Sequence, residues 1–252
     1  MRSVDVTDPH TGQLVRSYAL HEAAEVEARV AAAHAAQRQW RARPAAERAE
    51  VLVAAAAVLE ARAPEWAALM ALEMGKPVAQ GRAEALKCAR TLRWYAERHA
   101  SLLAPQPAEV APPARAYVRL DPLGTILAVM PWNFPFWQLF RCAAPMLLVG
   151  NGVLLKHAAD VPGCALAIEA IFAAAGAPPG LVTTLLIHAD AVPALLADPR
   201  VAGVTLTGGE RAGAAVAALA GQHLKKSVLE LGGSDAFVVL EDADVERAAA
   251  VA

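Results

Sequence analysis

Cysteine, aromatic residues and charge are all scarce in this chain. Only three cysteines occur among 252 residues, at positions 88, 142 and 164. That spacing supports neither a disulfide framework nor a metal-ligand cluster, so no metal is expected and a reducing, cytoplasmic setting is. Charged residues make up 19%, with 23 basic against 25 acidic side chains. No basic excess exists to draw the chain to nucleic acid or to an anionic membrane surface. No apolar run approaches the roughly 18 residues of a spanning helix. The first residues, Met1-Arg-Ser-Val-Asp-Val-Thr-Asp8, lack the apolar centre of a secretory signal. What is abundant is hydrophobic residues, 56% of the chain and rich in alanine, enough for a sizeable core.

The first hundred residues read as helices. Val26, Val30, Ala33 and Gln37 recur at helical spacing up to Trp40. A second helix opens at Pro44 and lines up Val51, Leu52, Ala55, Val58 and Leu59. A third runs from Pro64 to the stop at Gly75-Lys76-Pro77, and a fourth covers Val78 to His99. Residues 104–113 form a proline-rich connector, followed by a candidate edge strand over 115–121. From Gly124 onward, apolar runs at 125–130, 153–156, 181–187, 204–207 and 227–230 alternate with helical stretches at 136–149, 162–175, 191–197 and 210–220. Such alternation predicts an α/β fold with a parallel sheet covered on both faces. Ligands of such sheets bind at the carboxyl ends of the strands.

Four strand ends carry unusual residues. The first is followed by Met130-Pro-Trp-Asn-Phe-Pro135, where Asn133 either donates to a developing oxyanion or caps the next helix. The second closes on Lys156, placed to bond nucleotide hydroxyls or simply to be solvated. The third leads through Thr207-Gly-Gly209 into a helix whose free N–H groups suit a pyrophosphate, unless the pair only makes a tight turn. The fourth ends Glu230-Leu-Gly-Gly233. Partial desolvation there would suit Glu230 to general-base work, and a salt-bridged glutamate is the plain alternative.

In this order, Pro131-Trp-Asn-Phe-Pro135, Lys156, Thr207-Gly208 and Glu230-Leu-Gly-Gly233 resemble the aldehyde dehydrogenase superfamily, from about residue 5 to the end. Leu72-Glu-Met-Gly-Lys-Pro77, Phe134-Pro-Phe-Trp-Gln138 and Leu155-Lys-His-Ala158 bring the likeness closest to bacterial succinate-semialdehyde dehydrogenases. The resemblance implies N-terminal helices joined to a Rossmann-type parallel-sheet domain, with the catalytic domain missing. Its divisions fall at 1–103 (helical part of the cofactor-binding domain), 104–123 (connector and oligomerisation-arm strand), 124–230 (NAD(P)-binding sheet) and 231–252 (start of the catalytic domain). It implies oxidation of a small aldehyde by NAD or NADP, through a cysteine thiohemiacetal, in a homodimer or homotetramer. Asn133 then stabilises the oxyanion, and Glu230 activates the thiol or the hydrolytic water. Pro131 and Trp132 line the nicotinamide side. Lys156 binds ribose, and Gly208 and Gly209 cradle the pyrophosphate. Arg141, eight residues beyond Asn133, matches an arginine that binds the distal carboxylate of succinate semialdehyde, with Trp137 beside it.

Three departures stand out. Gly209 stands where the family usually has serine, so weaker phosphate binding is expected. Ala159 replaces a glutamate that repels a 2′-phosphate, so NADP is tolerated, unless Asp160 turns inward. The family's nucleophilic cysteine follows the glutamate by roughly thirty residues, whereas 22 residues follow Glu230 here and none is cysteine. The chain alone is therefore expected to be inactive. It is expected to be a truncated dehydrogenase, a non-catalytic NAD(P)-binding remnant or one chain of a split enzyme.

Overall fold

The computed structural model describes residues 2–252. Strands β1 (Ser3–Thr7) and β2 (Leu14–Ala19) form an antiparallel hairpin. Helices α1 (Ala23–Ala42), α2 (Ala45–Ala61), α3 (Ala63–Met74), α4 (Val78–Glu97) and the one-turn α5 (His99–Leu102) follow. A second hairpin joins β3 (Gln106–Ala108) to β4 (Ala116–Val118). Then come β5 (Thr125–Met130), α6 (Trp137–Val149), β6 (Gly152–His157), α7 (Pro162–Ala174) and β7 (Val182–Thr184). A 3₁₀ turn leads to α8 (Val192–Ala197), β8 (Val201–Thr207), α9 (Glu210–Gln222), β9 (Lys226–Glu230) and α10 (Val245–Val251). No helix among the described residues is long and apolar enough to cross a membrane.

The five later strands form one parallel sheet in the order β7-β6-β5-β8-β9. Alternate residues face opposite sides, as the period of a strand requires. Ala128, Met130, Val153 and Leu155 join the core shared with α2, α3, α4, α6 and α7. Leu127, Leu154, Val204 and Leu206 join the core shared with α1, α8 and α9. This two-sided cover is why these strands read as continuous apolar runs. The order reverses between β5 and β8, the place where open α/β sheets bind ligands.

Helix α6 is held at both ends by the helical lobe. Its last carbonyls lack helical partners, as at any C-terminus. Trp40 Nε1–H donates to the Leu147 carbonyl at 2.8 Å, Arg48 Nε–H to Leu148 at 2.8 Å, and Gln37 Nε2–H to Gly150 at 3.0 Å. At its other end Glu84 accepts from two N–H groups of the first turn. Helix α7 is served likewise by Glu73, which accepts from Gly163 N–H and Cys164 N–H, both at 2.8 Å.

Several expectations are corrected. The first hundred residues are not all helical, because residues 3–19 form the β1–β2 hairpin. Val4 and Val6 alternate with polar residues, and Gly12 takes a positive φ of 70° in the turn that the Asp8 carbonyl closes. The connector at 104–113 is not structureless: it contains β3, which pairs with the candidate edge strand. The edge strand spans only Ala116–Val118, and β7 only Val182–Thr184.

Candidate functional site

Register brings the four sequence signals to one rim. Met130 pairs with His157 across β5 and β6, Val129 with both Lys156 and Leu206, and Thr207 with Glu230 across β8 and β9. The turn after β5, Lys156, the glycine pair and Glu230 therefore emerge from the same carboxyl edge, around the reversal point.

The Asn133 turn separates β5 from α6. Asn133 is exposed, and its side chain makes no hydrogen bond among the described residues. The capping role left open for it is not realised. Helix α6 starts after Phe136, and the Glu84 carboxylate takes the Phe136 and Trp137 N–H groups, each at 2.9 Å. The Asn133 amide is thus left unused. Trp132 is half exposed beside it, while Pro135 and Phe136 are buried.

Lys156, the penultimate residue of β6, is partly buried and without a hydrogen-bond or ion-pair partner among the described residues. Burial pulls its ammonium below the ordinary lysine value, and the Asp160 charge opposes that. Asp160 and Ala159 are themselves exposed. His157, next in line, is fully buried and held near pKa 4 by desolvation. Its Nε2–H donates to the Pro135 carbonyl at 2.8 Å and its Nδ1 accepts from Ala158 N–H at 3.0 Å, which fixes a neutral tautomer. Strand β6 is thereby tied to the Asn133 turn.

Helix α9 begins after Gly209 with no side-chain cap. The Gly208 N–H is spent on the Glu230 carbonyl at 3.0 Å, which locks the turn. Among the described residues, the first-turn donors of α9 find no acceptor. A Cβ at Gly209 would meet nothing within 4 Å. By contrast, a Cβ on Gly213 would come within 2.5 Å of Leu231, so glycine there lets α9 close on the segment after β9.

Arg141, on α6, reaches across the sheet end. Its Nη1 lies 3.3 Å from Glu230 Oε2, and its Nη2 donates to Thr207 Oγ1 at 3.1 Å. The two residues expected to face substrate are thus paired with each other. Glu230 stands at the end of an edge strand with its side chain 55% exposed. Trp137, one turn before Arg141, lies beneath the Lys87 ammonium, 3.8 Å from the ring centre.

None of the three cysteines suits nucleophilic work. Cys88 and Cys164 are buried and Cys142 is partly so. Burial pushes the Cys142 thiol up to about 12 and the other two well above the ordinary value. Sequence reasoning missed Glu73, Lys76, Glu84 and the bonding of His157. No local signal marks them, because each acts on a segment far away in sequence.

A parallel sheet with an unused amide, an unpaired lysine and an uncapped helix start at one rim defines an α/β protein whose candidate site lies at the carboxyl edge of the sheet. The sequence pattern of the Aldehyde dehydrogenase family matches residues 1–252, and the chain belongs to that family. It is 50% identical over 247 residues to "Succinate-semialdehyde dehydrogenase [NADP(+)] 1" of Mycobacterium tuberculosis, covering 97% of this chain and 54% of the relative. It is 49% identical over 250 residues to the "Probable succinate-semialdehyde dehydrogenase [NADP(+)]" of Synechocystis, covering 99% of this chain and 55% of that protein. The crystal structure of a Streptococcus pyogenes succinic semialdehyde dehydrogenase in complex with NADP+ superposes with a TM-score of 0.92 at 37% identity, covering 97% of this chain and 54% of that one. The chain thus spans about half the length of the relatives it matches.

Proposed function

We propose that this chain supplies the cofactor-binding and oxyanion-stabilising part of an NADP-dependent aldehyde dehydrogenase that converts succinate semialdehyde to succinate. The observation that carries the reading is the shared rim, where Asn133, Lys156, Gly208, Gly209 and Glu230 come together on four neighbouring strands. The named relatives support the choice of aldehyde and of NADP.

The donor set fits a dinucleotide. Lys156 offers an unshared ammonium to ribose hydroxyls. The uncapped start of α9, behind Gly208 and Gly209, offers backbone N–H groups to a pyrophosphate. Ala159 places no carboxylate against a 2′-phosphate, while exposed Asp160 adds only its field. Pro131 and Trp132 flank the nicotinamide end. When bound, the cofactor supplies a hydride acceptor.

The remaining roles belong to side chains of this chain. The Asn133 amide donates a hydrogen bond to the oxygen of the attacked aldehyde, where negative charge develops. The Glu230 carboxylate accepts a proton from the thiol or from water. Arg141 swings from Glu230 to the distal carboxylate of the substrate, beside Trp137. A guanidinium binds a carboxylate in two parallel bonds, and release from Arg141 leaves Glu230 unpaired. The attacking thiolate has no source among Cys88, Cys142 and Cys164, so the 252-residue chain is inactive alone.

Titration of the purified chain with NADP+, read by tryptophan emission, tests the reading. Quenching that Lys156→Ala abolishes is expected. An unchanged emission, or equal quenching in the variant, overturns it. Aldehyde-dependent NADPH formation by this chain alone would refute the assignment of the nucleophile elsewhere.

A further inference from the structure

Asn133 is exposed and grips nothing, so its placement must come from its neighbours. Three contacts hold the residues that follow it. The Lys76 ammonium lies 3.8 Å from the centre of the Phe134 ring. The His157 Nε2–H holds the Pro135 carbonyl at 2.8 Å. Glu84 Oε1 takes the Phe136 and Trp137 N–H groups, each at 2.9 Å. The other oxygen of Glu84 accepts from the Lys76 ammonium. Lys76 and Glu84 are both more than nine-tenths buried, and they form an ion pair within the helical lobe.

A buried ion pair is a poor way to gain stability, since removing two charges from water offsets most of their attraction. What such a pair supplies is direction. Here the carboxylate faces α6 with one oxygen and Lys76 with the other, and the ammonium faces Phe134. Phe134 is 47% exposed, so the apolar core alone does not seat it. The corner that presents Lys76 is itself rigid. Gly75 ends α3 at a positive φ of 73°, and Pro77 immediately precedes α4. A Cβ at Gly75 would come within 3.0 Å of Pro9 in the β1–β2 turn, so the hairpin backs the corner.

We propose that Glu84, itself gripped by the buried Lys76, is a positioning residue whose acceptor oxygen fixes the Asn133 turn from behind, leaving the Asn133 amide free to face the aldehyde oxygen. The proposal deepens the role of Asn133 given above and rests on that reading for its purpose. The clamp itself rests only on the contacts of residues 134–137.

The test uses the whole 252-residue chain, labelled with ¹⁵N. Two double variants remove both charges together, so neither leaves a lone buried ion. Lys76→Met with Glu84→Leu removes the acceptor oxygens. Lys76→Met with Glu84→Gln keeps an acceptor carbonyl for the Phe136 and Trp137 N–H groups. In the first, hydrogen exchange at those two amides should speed at least about tenfold, while protection in β8 and α6 beyond its first turn holds. The Asn133 side-chain amide signals should broaden in the same variant. The second should restore protection to within about threefold of wild type. Unchanged exchange and an unchanged Asn133 signal in the first variant would overturn the proposal. So would loss of protection spread evenly over the sheet, or failure of the glutamine variant to rescue. Neither readout needs cofactor or substrate. Failure of NADP+ to quench tryptophan would therefore sink the functional reading and leave the clamp standing.

Discussion

Helices α6 and α9 are each 13 residues long, and each follows a central strand of the same sheet at the reversal point. One is held at both ends by distant side chains, and the other is capped by none. Helix α6 takes a carboxylate at its start from Glu84 and donors at its end from Gln37, Trp40 and Arg48. Both placements match the sign of the helix dipole. Helix α9 starts at a bare glycine and buries only Gly213, Val216 and Ala220. The contrast separates two uses of one motif. A helix start already occupied by a protein carboxylate is structural and has no donors left for a ligand. A helix start left bare keeps its positive end for an anion. Helix α7 follows α6 in this respect, because Glu73 fills its start.

The contrast can be broken most forcefully at Glu73. Its carboxylate accepts from Gly163 N–H, Cys164 N–H and, at 3.4 Å, the Tyr18 hydroxyl. Glu73→Ala leaves one buried and one partly buried N–H group unpaired and should lower unfolding stability by about 3 kcal/mol in urea titrations. A loss no larger than a surface mutation would show that these helix starts need no cap.

His157 gives the next effect, through pH. Its folded value near 4 lies below the ordinary 6.5, so the unfolded chain binds the extra proton first. Stability contributed by neutral His157 is complete above pH 6.5 and falls as pH drops toward 4. From pH 7.5 to pH 5 the loss should be about 2 kcal/mol. His157→Gln, which still offers an N–H to Pro135, should flatten that part of the urea-midpoint profile. An identical profile in the variant would refute the assignment.

At the far end of α6, Gln37→Leu keeps the volume and removes the donor to the Gly150 carbonyl. About 1 kcal/mol should be lost by the same measurement. Smallest is the reverse change at α9. Gly209→Ser adds the missing cap in open space and should stabilise the chain by a few tenths of a kcal/mol. The same hydroxyl should tighten NADP+ rather than block it. Weaker quenching in this variant would argue against a phosphate at the start of α9.

Much of the fold was legible along the chain. The sheet strands announce themselves as apolar runs because both faces are covered, and the four site segments sit at their ends. The β1–β2 hairpin was hidden by its exposure, which leaves no apolar run to read. Its two strands are 5 and 6 residues long, and only Val6 is buried in them. The bonds that hold the site were not legible at all. Glu84 lies 52 residues from Phe136, Glu73 lies 90 from Gly163, and Trp40 lies 107 from Leu147. Nothing local marks a glutamate in a helix as the cap of another helix.

Sequence by itself determined the parallel sheet, the family and the residues offered at its carboxyl rim, because hydrophobic period and turn chemistry are local properties. Tertiary structure decided which of those residues are free. It paired Arg141 with Glu230 and buried Cys88 and Cys164. It left Asn133 and Lys156 without partners, and it gave the start of α6 to Glu84 while leaving that of α9 open. A polar group's partner is set by distance in space, and only the packed chain fixes that distance.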